Sequence, residues 1–259
     1  MSSAPSLFVS HGAPTFALEP GLLGPALSQL GRDIRPRVTA ILVVSAHWQT
    51  HGVRVMAAAR PETVHDFGGF PEELYALRYP APGAPQYAAK ACALLASAGF
   101  ASELDASRGL DHGAWVPLRY LAPEADLPVF QVSLPEDADP KTAFDIGKAL
   151  APLRAEGVLL MGSGSLTHNL HDVFRGTVDR EYAQNFTRWV ESSLKKDDTD
   201  ALLDYRARAP EALRAHPSDE HFLPLLTAMG ARAGGDRLRI LSGGVTYGVL
   251  SMDSFVWDH

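Results

Sequence analysis

The chain has 259 residues, of which 46% are hydrophobic and 20% are charged, as expected of one large α/β domain over 1–259 with a full apolar core. The formal net charge of -7 gives no electrostatic basis for binding nucleic acid or an anionic membrane surface. The single cysteine excludes an intrachain disulfide and fits a cytoplasmic protein, and we expect neither a signal peptide nor a membrane span.

Short apolar runs that end in polar or glycine residues predict the buried strands of a parallel sheet. In chain order, the predicted strands are 7–10, 38–46, 53–58, 128–134, 158–161, 238–241 and 249–255. Apolar residues at helical spacing predict helices over 22–30, 85–96, 116–121, 139–155, 181–194, 201–208, 211–215 and 222–231. This alternation predicts a mostly parallel central sheet with helices on both faces.

Histidine is the informative excess in the composition, with 10 copies. His11 and His47 directly follow two predicted strands. His168 follows a third strand after a Gly-Ser-Gly-Ser stretch, and His221 directly precedes a predicted helix. A lone histidine is usually structural, but open α/β sheets place their ligands at the carboxyl ends of strands, and imidazole binds both zinc and iron. The pattern therefore predicts that these four histidines converge on one metal ion.

Seven stretches carry a specific combination of residues. They are Ser10-His11-Gly12-Ala13-Pro14, Ser45-Ala46-His47-Trp48, His65-Asp66-Phe67-Gly68-Gly69-Phe70-Pro71, Tyr79-Pro80-Ala81-Pro82-Gly83, Asp111-His112-Gly113, Gly162-Ser163-Gly164-Ser165 with His168-Asn169-Leu170, and Glu220-His221 with Leu223-Pro224-Leu225-Leu226. Each stretch is weak evidence alone. Together, and in this order over nearly the whole chain, they resemble the class III extradiol ring-cleavage dioxygenases, in particular the 4,5-DOPA dioxygenase extradiol branch.

The resemblance implies a non-haem Fe(II) enzyme that opens a DOPA-like catechol ring with O2. His11 and His47 match two metal ligands of the family, and His221 matches the third ligand of the DOPA-type branch. Protocatechuate-type members use a glutamate as the third ligand, so Glu220 is an alternative, although the residues after His221 favour the histidine. An all-histidine set also suits Zn(II), which keeps both metals open.

The resemblance also assigns roles around the metal. His168 matches the base that takes a proton from the catechol, and in a zinc form it would instead be a fourth ligand. His112 matches a histidine that donates to a developing oxyanion. We predict substrate contacts for His65 and Trp48, although both residue types are often structural.

Five further residues have weaker expectations. Phe67 and Phe70 are candidate walls of an aromatic pocket, and Asp66 and Asp111 are candidates for orienting neighbouring imidazoles. His216 lies five positions before His221 and is the histidine most easily mistaken for a ligand.

Two alternative functions use the same scaffold. One is a zinc hydrolase with an activated water, in which Glu220 would be the carboxylate base. The other is a non-catalytic member that keeps the metal and binds a ligand. Metal identity and O2 uptake distinguish both alternatives from a dioxygenase.

Overall fold

The central sheet contains four neighbouring parallel strands. The computed structural model describes residues 3–176 and 179–259. Its strands are β1 Ser6–Ser10, β2 Ala40–Ser45, β3 Gln49–Thr50, β4 Val53–Met56, β5 Ser102–Asp105, β6 Val129–Gln131, β7 Leu134–Pro135, β8 Val158–Gly164, β9 Arg237–Leu241, β10 Val245–Thr246, β11 Leu250–Ser251 and β12 Ser254–Asp258. Six of them form the central sheet in the order β6-β2-β8-β1-β12-β9. The first four run parallel and β12 runs antiparallel to β1 and β9, which confirms the predicted mostly parallel sheet.

The two strands β2 and β8 form the buried centre of this sheet. Every residue in both strands is buried, which explains why their apolar runs are uninterrupted: both faces of each strand are covered. β8 continues past its predicted end at Met161 as far as Gly164. Its small residues there leave room for a close approach by the C-terminal helix of the chain.

Helices cover both faces of the sheet. Their bounds are α1 Leu23–Ile34, α2 Glu72–Ala76, α3 Pro85–Ser97, α4 His112–Leu121, α5 Pro140–Leu150, α6 Leu170–Phe174, α7 Arg180–Lys195, α8 Thr199–Leu203, α9 Tyr205–Arg208, α10 Ala212–Ala215 and α11 Leu223–Gly230. α4 packs on α1 and contacts β2 and β8, whereas α11 packs on α5 and contacts β8 and β1. Among the described residues, none of these helices is long and apolar enough to cross a membrane.

Neighbouring residues of β8 show that α4 and α11 lie on opposite faces. The Ser163 hydroxyl donates a hydrogen bond to the carbonyl of Gly113 in α4. The preceding residue, Gly162, faces α11, where an added Cβ would lie 2.0 Å from the carbonyl oxygen of Pro224. Successive side chains of a strand point to opposite faces, so the two contacts define the two helical layers.

Three predicted strands differ in detail from the structure. β4 pairs with β5 and stands outside the central sheet. The predicted strand 128–134 divides into β6 and β7, because the segment changes its pairing partner between them. The Val132 N–H donates to the carbonyl of Val43, and the next N–H, that of Ser133, donates to the carbonyl of Arg54. The predicted strand 249–255 likewise divides into β11 and β12, and only β12 joins the central sheet.

Helix capping accounts for two helix starts. α4 begins at His112, four residues before its predicted start at 116, and Asp111 caps it by accepting a hydrogen bond from the Ala114 N–H at 3.2 Å. An aspartate at this position is a typical N-cap, so Asp111 was the sequence signal for the earlier helix start. The start of α5 is confirmed, because Asp139 accepts from the Thr142 N–H at 2.7 Å. α5 ends earlier than predicted and continues as a 3-10 turn to Glu156.

Candidate metal centre and adjoining cavity

Three histidines from distant parts of the chain meet at one end of the sheet. His11 directly follows β1, His47 follows β2 after one residue, and His221 stands two residues before α11. Their candidate ligand nitrogens all lie within 4.8 Å of one another, and the Nε2 atoms of His11 and His47 are 3.0 Å apart. Since β1 and β2 run parallel, their carboxyl ends present both imidazoles at the same edge of the sheet.

Hydrogen bonds at the opposite ring nitrogens orient two of these imidazoles. The Ser163 hydroxyl donates its hydrogen to the Gly113 carbonyl, so its oxygen accepts the Nδ1–H of His11 at 3.0 Å. Glu220 Oε1 lies 3.0 Å from His221 Nδ1 and accepts its hydrogen. In both histidines the Nε2 lone pair therefore faces the centre, which is the arrangement of histidine ligands held by a carboxylate or hydroxyl partner.

The three imidazoles are neutral at pH 7. Burial, followed by repulsion from neighbouring imidazoles, holds the pKa of His11 and of His221 well below the ordinary value. Burial and the His112 ring lower the pKa of His47 to about 4 against the raising effect of two nearby aspartates. Neutral imidazole is the form that binds a metal.

The geometry fits a metal ion. His221 Nε2 is buried and has no hydrogen-bond partner among the described residues, a costly condition that a cation would relieve. The Nε2 atoms of His11 and His47 face each other closely, which requires a proton or a cation between them. Nitrogens that each lie about 2.1 Å from one tetrahedral metal stand roughly 3.4 Å apart, close to this spacing.

Asp66 links the loop before α2 to the start of α4. Its Oδ1 accepts a hydrogen bond from the backbone N–H of His112 at 2.9 Å and lies 3.0 Å from Nδ1 of the same residue. Burial alone would raise the pKa of Asp66, but the contacts with His112 lower it to about 2. The other oxygen, Oδ2, lies 3.9 Å from His47 Nδ1. Asp66 thus remains a carboxylate that holds the His112 backbone and lies near two imidazoles.

His168 lies beside the three-histidine group. Its ring stacks on that of His221, with centroids 3.4 Å apart and planes inclined by 9°. The backbone N–H of His168 donates to the Ala215 carbonyl at 2.7 Å, which fixes the loop that carries it. Burial lowers the pKa of His168 to about 4, so the ring is neutral at pH 7. Its ligand atom groups with those of Glu220 and His221, not with those of His11 and His47.

The glycines of the 162–165 stretch serve close packing. A Cβ added to Gly164 would lie 2.2 Å from the His221 carbonyl oxygen. The next residue, Ser165, donates its backbone N–H to that same carbonyl at 2.9 Å. β8 therefore approaches the backbone of His221 directly and sets its position.

A cavity of about 450 Å³ opens beside the histidines. Its lining residues are Gly12, Ala13, Pro14, His47, Phe67, Gly68, Phe70, His112, His168, Leu170, Val173, Phe174, His221, Tyr247 and Leu250. Phe67 and Phe70, predicted as aromatic walls, lie along it. The sequence did not predict that Leu170, Phe174 and Tyr247 line the cavity. Their neighbours in the chain give no sign of the distant residues that the fold brings next to them.

Two residues predicted to contact substrate, Trp48 and His65, are not among these lining residues, although the His65 ring packs against that of Phe67. Trp48 is buried, and the Arg108 guanidinium lies 5.0 Å from the centre of its ring. His65 contacts the Leu77 carbonyl at 3.1 Å and packs against Trp115. Each is adjacent in the chain to a residue of the site, but neighbouring side chains in extended segments point in different directions.

Two other polar residues, His216 and Asp111, make hydrogen bonds that stabilise the fold. His216 is buried, and its Nε2 donates to the Leu166 carbonyl at 2.9 Å, consistent with its prediction as a residue outside the ligand set. Asp111 caps α4 and accepts hydrogen bonds from Ser45 Oγ and Arg108.

Known proteins are similar to this chain over most of its length. Residues 9–250 match the family described as the catalytic LigB subunit of aromatic ring-opening dioxygenase. The chain is similar to 4,5-DOPA dioxygenase extradiol of Beta vulgaris (38% identity, covering 96% of this chain and 95% of that protein) and of Escherichia coli K12 (39%, covering 96% and 92%). The crystal structure of an uncharacterized Escherichia coli K12 protein is similar over 98% of this chain and 99% of its own, with 33% identity and a TM-score of 0.80.

Proposed function

Because the chain belongs to the family of catalytic LigB subunits of aromatic ring-opening dioxygenases, we propose that its three-histidine group holds a metal ion and that the adjoining cavity holds the aromatic substrate. The chain is a dioxygenase that opens a catechol-type ring with O2. The observation that carries the metal site is the convergence of the imidazole nitrogens of His11, His47 and His221, one of them buried and without a partner in the part of the chain that the structure describes.

The metal we propose is Fe(II), held by His11, His47 and His221. Glu220 supports this set, because its carboxylate accepts from His221 Nδ1 and leaves Nε2 free. Ring opening by O2 needs electron transfer, and zinc has no redox chemistry, although Zn(II) would suit the same nitrogens. When bound, iron supplies Lewis acidity toward the catechol oxygens and a route for electrons.

His168 is the proposed base. It lines the cavity, and its neutral ring can accept the proton of a catechol hydroxyl and return it later in the reaction. Its position outside the group formed by His11, His47 and His221 supports this role over that of a fourth ligand.

His112 is the proposed donor to the oxygen that gains charge during the reaction. It lines the cavity, and its ring centroid lies 4.0 Å from that of His47. Asp66 holds the start of α4 through the His112 backbone, so the imidazole is positioned before substrate arrives.

The hydrolase alternative would use Glu220 as its carboxylate base, and this residue is already engaged. Glu220 Oε1 is occupied by His221 Nδ1 and by the Ser218 hydroxyl, each at 3.0 Å. No other observation favours a second function. The relatives' names make DOPA the first catechol to test, and the cytoplasmic location stays a prediction.

Anaerobic reconstitution with Fe(II), followed by O2 uptake and absorbance measurements on DOPA, catechol and protocatechuate, tests this proposal. We expect O2 consumption with a new visible chromophore. His168→Ala should lower kcat strongly while iron content is retained, and His51→Ala, at an exposed histidine, is the matched control. Wild-type turnover by His168→Ala would remove it as the base, and an absence of uptake on every catechol would overturn the assignment of the site.

A further inference from the structure

The helix α6 forms part of the cavity wall, although its own side chains are poorly covered. Leu170, Val173 and Phe174 line the cavity. None of the five residues of α6, all of which the structure describes, is buried, and 84% of Phe174 is exposed. Apolar burial therefore contributes little to the position of this short helix, and polar contacts from elsewhere in the chain have to hold it.

The backbone that leads into α6 is joined to the end of α10. The N–H of His168 donates to the carbonyl of Ala215 at 2.7 Å, and the side-chain amide of Asn169 donates to the carbonyl of Arg214 at 2.8 Å. Asn169 also caps α6, because its Oδ1 accepts from the Asp172 N–H at 3.1 Å. These bonds fix the point at which α6 begins.

The side chain of Arg214 provides a second attachment. Its Nε donates to Asp172 Oδ2 in α6 at 3.2 Å, and its Nη1 donates to Asp179 Oδ2, directly before α7, at 2.7 Å. The guanidinium carbon lies 4.0 Å from the ring centre of Tyr182, which is buried in α7. Stacking on a buried aromatic ring limits the positions open to the guanidinium, so its ion pair with Asp172 holds α6 near the start of α7.

We propose that Arg214 is a positioning residue that holds α6 at the substrate cavity, and that catechol binding weakens when its ion pairs are broken or screened by salt. This inference rests on the proposed function, in which the cavity holds the aromatic substrate. Arg214 is not among the residues that line the cavity and acts through the lining residues of α6. A displaced wall loses contact with substrate and transition state alike, so KM should rise while kcat changes little.

The ion pairs of Arg214 are accessible enough for salt to act on them. The side chains of Arg214, Asp172 and Asp179 are each partly exposed. Ion pairs in such positions are individually weak, and 1 M salt shortens the screening length to roughly 3 Å. High salt should therefore loosen the attachment of α6, whereas it does not weaken apolar contacts.

The first measurement follows hydrogen–deuterium exchange of the α6 amides at short exchange times in the whole chain, a readout that does not depend on turnover. Arg214→Met keeps an apolar stem over Tyr182 but removes the charge, and we expect α6 exchange to become at least about threefold faster. Salt at about 1 M should accelerate the exchange in the wild type and have no further effect in Arg214→Met. Arg208→Met is the matched control, because Arg208 forms an exposed ion pair with Asp204 and does not line the cavity. It should keep the wild-type exchange and salt response.

The second measurement is steady-state O2 uptake by the iron-reconstituted protein with catechol, which carries no charged substituent on which salt could act directly. We expect KM to rise about fivefold in Arg214→Met with kcat within about twofold of the wild type. Wild-type KM should rise about two- to threefold in 1 M NaCl. Arg214→Lys keeps the charge and should recover part of the loss.

Unchanged α6 exchange in Arg214→Met overturns the proposal, and so does a salt response of KM that is equal in Arg214→Met and the wild type. A lower kcat at unchanged KM also overturns it, because the effect of Arg214 would then lie on the chemistry and not on the cavity wall. If no catechol supports O2 uptake, the proposed function fails, and the exchange measurement alone decides whether Arg214 holds α6.

Discussion

The inner and outer ends of the cavity are built in different ways. At the inner end, His11 and His47 follow central strands, and the rings of His11 and His221 are oriented by the hydrogen bonds that they donate to Ser163 and Glu220. At the outer end, the wall comes from loops and a five-residue helix, and Phe174 is largely exposed. Groups that need fixed mutual distances lie on the sheet, whereas groups that meet a variable substituent lie on segments that tolerate change.

The largest effect should come from removing an inner imidazole. His47→Ala should lower metal content and ring-cleavage rate by more than about 100-fold, since loss of a residue that merely orients a ligand already costs about 10–100-fold. Metal analysis after desalting and O2 uptake measure both. His51→Ala, at an exposed position, should behave like the wild type. Full metal retention by His47→Ala would show that the inner group is not the ligand set.

A smaller effect should follow from weakening the orientation of His221. Glu220→Gln keeps the shape but removes the charge that accepts from His221 Nδ1, so metal affinity should fall about 10–100-fold. A competition titration with a chelator measures the affinity, with the exposed Glu124→Gln as the control. Unchanged metal affinity in Glu220→Gln would show that Glu220 does not orient His221 for metal binding.

Close packing under His221 can be tested by stability. Gly164→Ala places a Cβ 2.2 Å from the His221 carbonyl oxygen, so the free energy of unfolding should fall by about 1–3 kcal/mol. Gly234→Ala is the matched control, because nothing lies within 4 Å of its added Cβ. Urea denaturation measures both. Equal stability of the two variants would contradict direct packing of β8 on His221.

Acid should destabilise the folded protein through His216, a buried histidine outside the predicted ligand set. Burial lowers the pKa of His216 to about 4 in the folded protein, against 6.5 for an ordinary histidine, so the unfolded chain binds a proton first as pH falls. The contribution of His216 to stability is intact above pH 6.5 and is lost as pH falls from 6.5 toward 4. By pH 5 the loss is about 2 kcal/mol.

Urea unfolding of the metal-free protein at pH 7 and pH 5 measures this difference. His216→Gln should be less stable at pH 7 and should lose about 2 kcal/mol less on acidification. His51→Gln should keep the wild-type difference. An acid response of His216→Gln equal to that of the wild type would assign the loss to other groups.

The smallest effect should come from an exposed hydrogen bond at the outer end. Tyr247→Phe removes the hydroxyl that meets Thr15 and keeps the ring, so kcat/KM for DOPA should change by less than about threefold. Steady-state O2 uptake measures it, with Tyr247→Ala as the comparison that removes the ring. A loss in Tyr247→Phe as large as that in Tyr247→Ala would mean that the hydroxyl contacts substrate.

The inner end was predictable because local sequence determines it. A buried apolar run that ends in histidine places that imidazole at a strand end, as for His11 and His47, and the charge of Glu220 lies beside His221 in the chain. The outer end of the cavity was not predictable, because nothing in the local sequence of α6 indicates that its apolar residues line a cavity. His65 and Trp48 stand next to site residues in the chain but are not among the residues that line the cavity, so their predicted substrate contacts stay predictions.

The strand order has a consequence for how the protein acquires its metal. β8 lies between β1 and β2 although it follows both by more than a hundred residues of chain, and His221 comes later still. During synthesis, the two earlier histidines therefore sit on strands that cannot reach their native spacing until β8 has inserted. Such long-range pairing is a late and slow event in folding. Capture of the ion at the three imidazoles would accordingly mark the completion of folding, not its beginning.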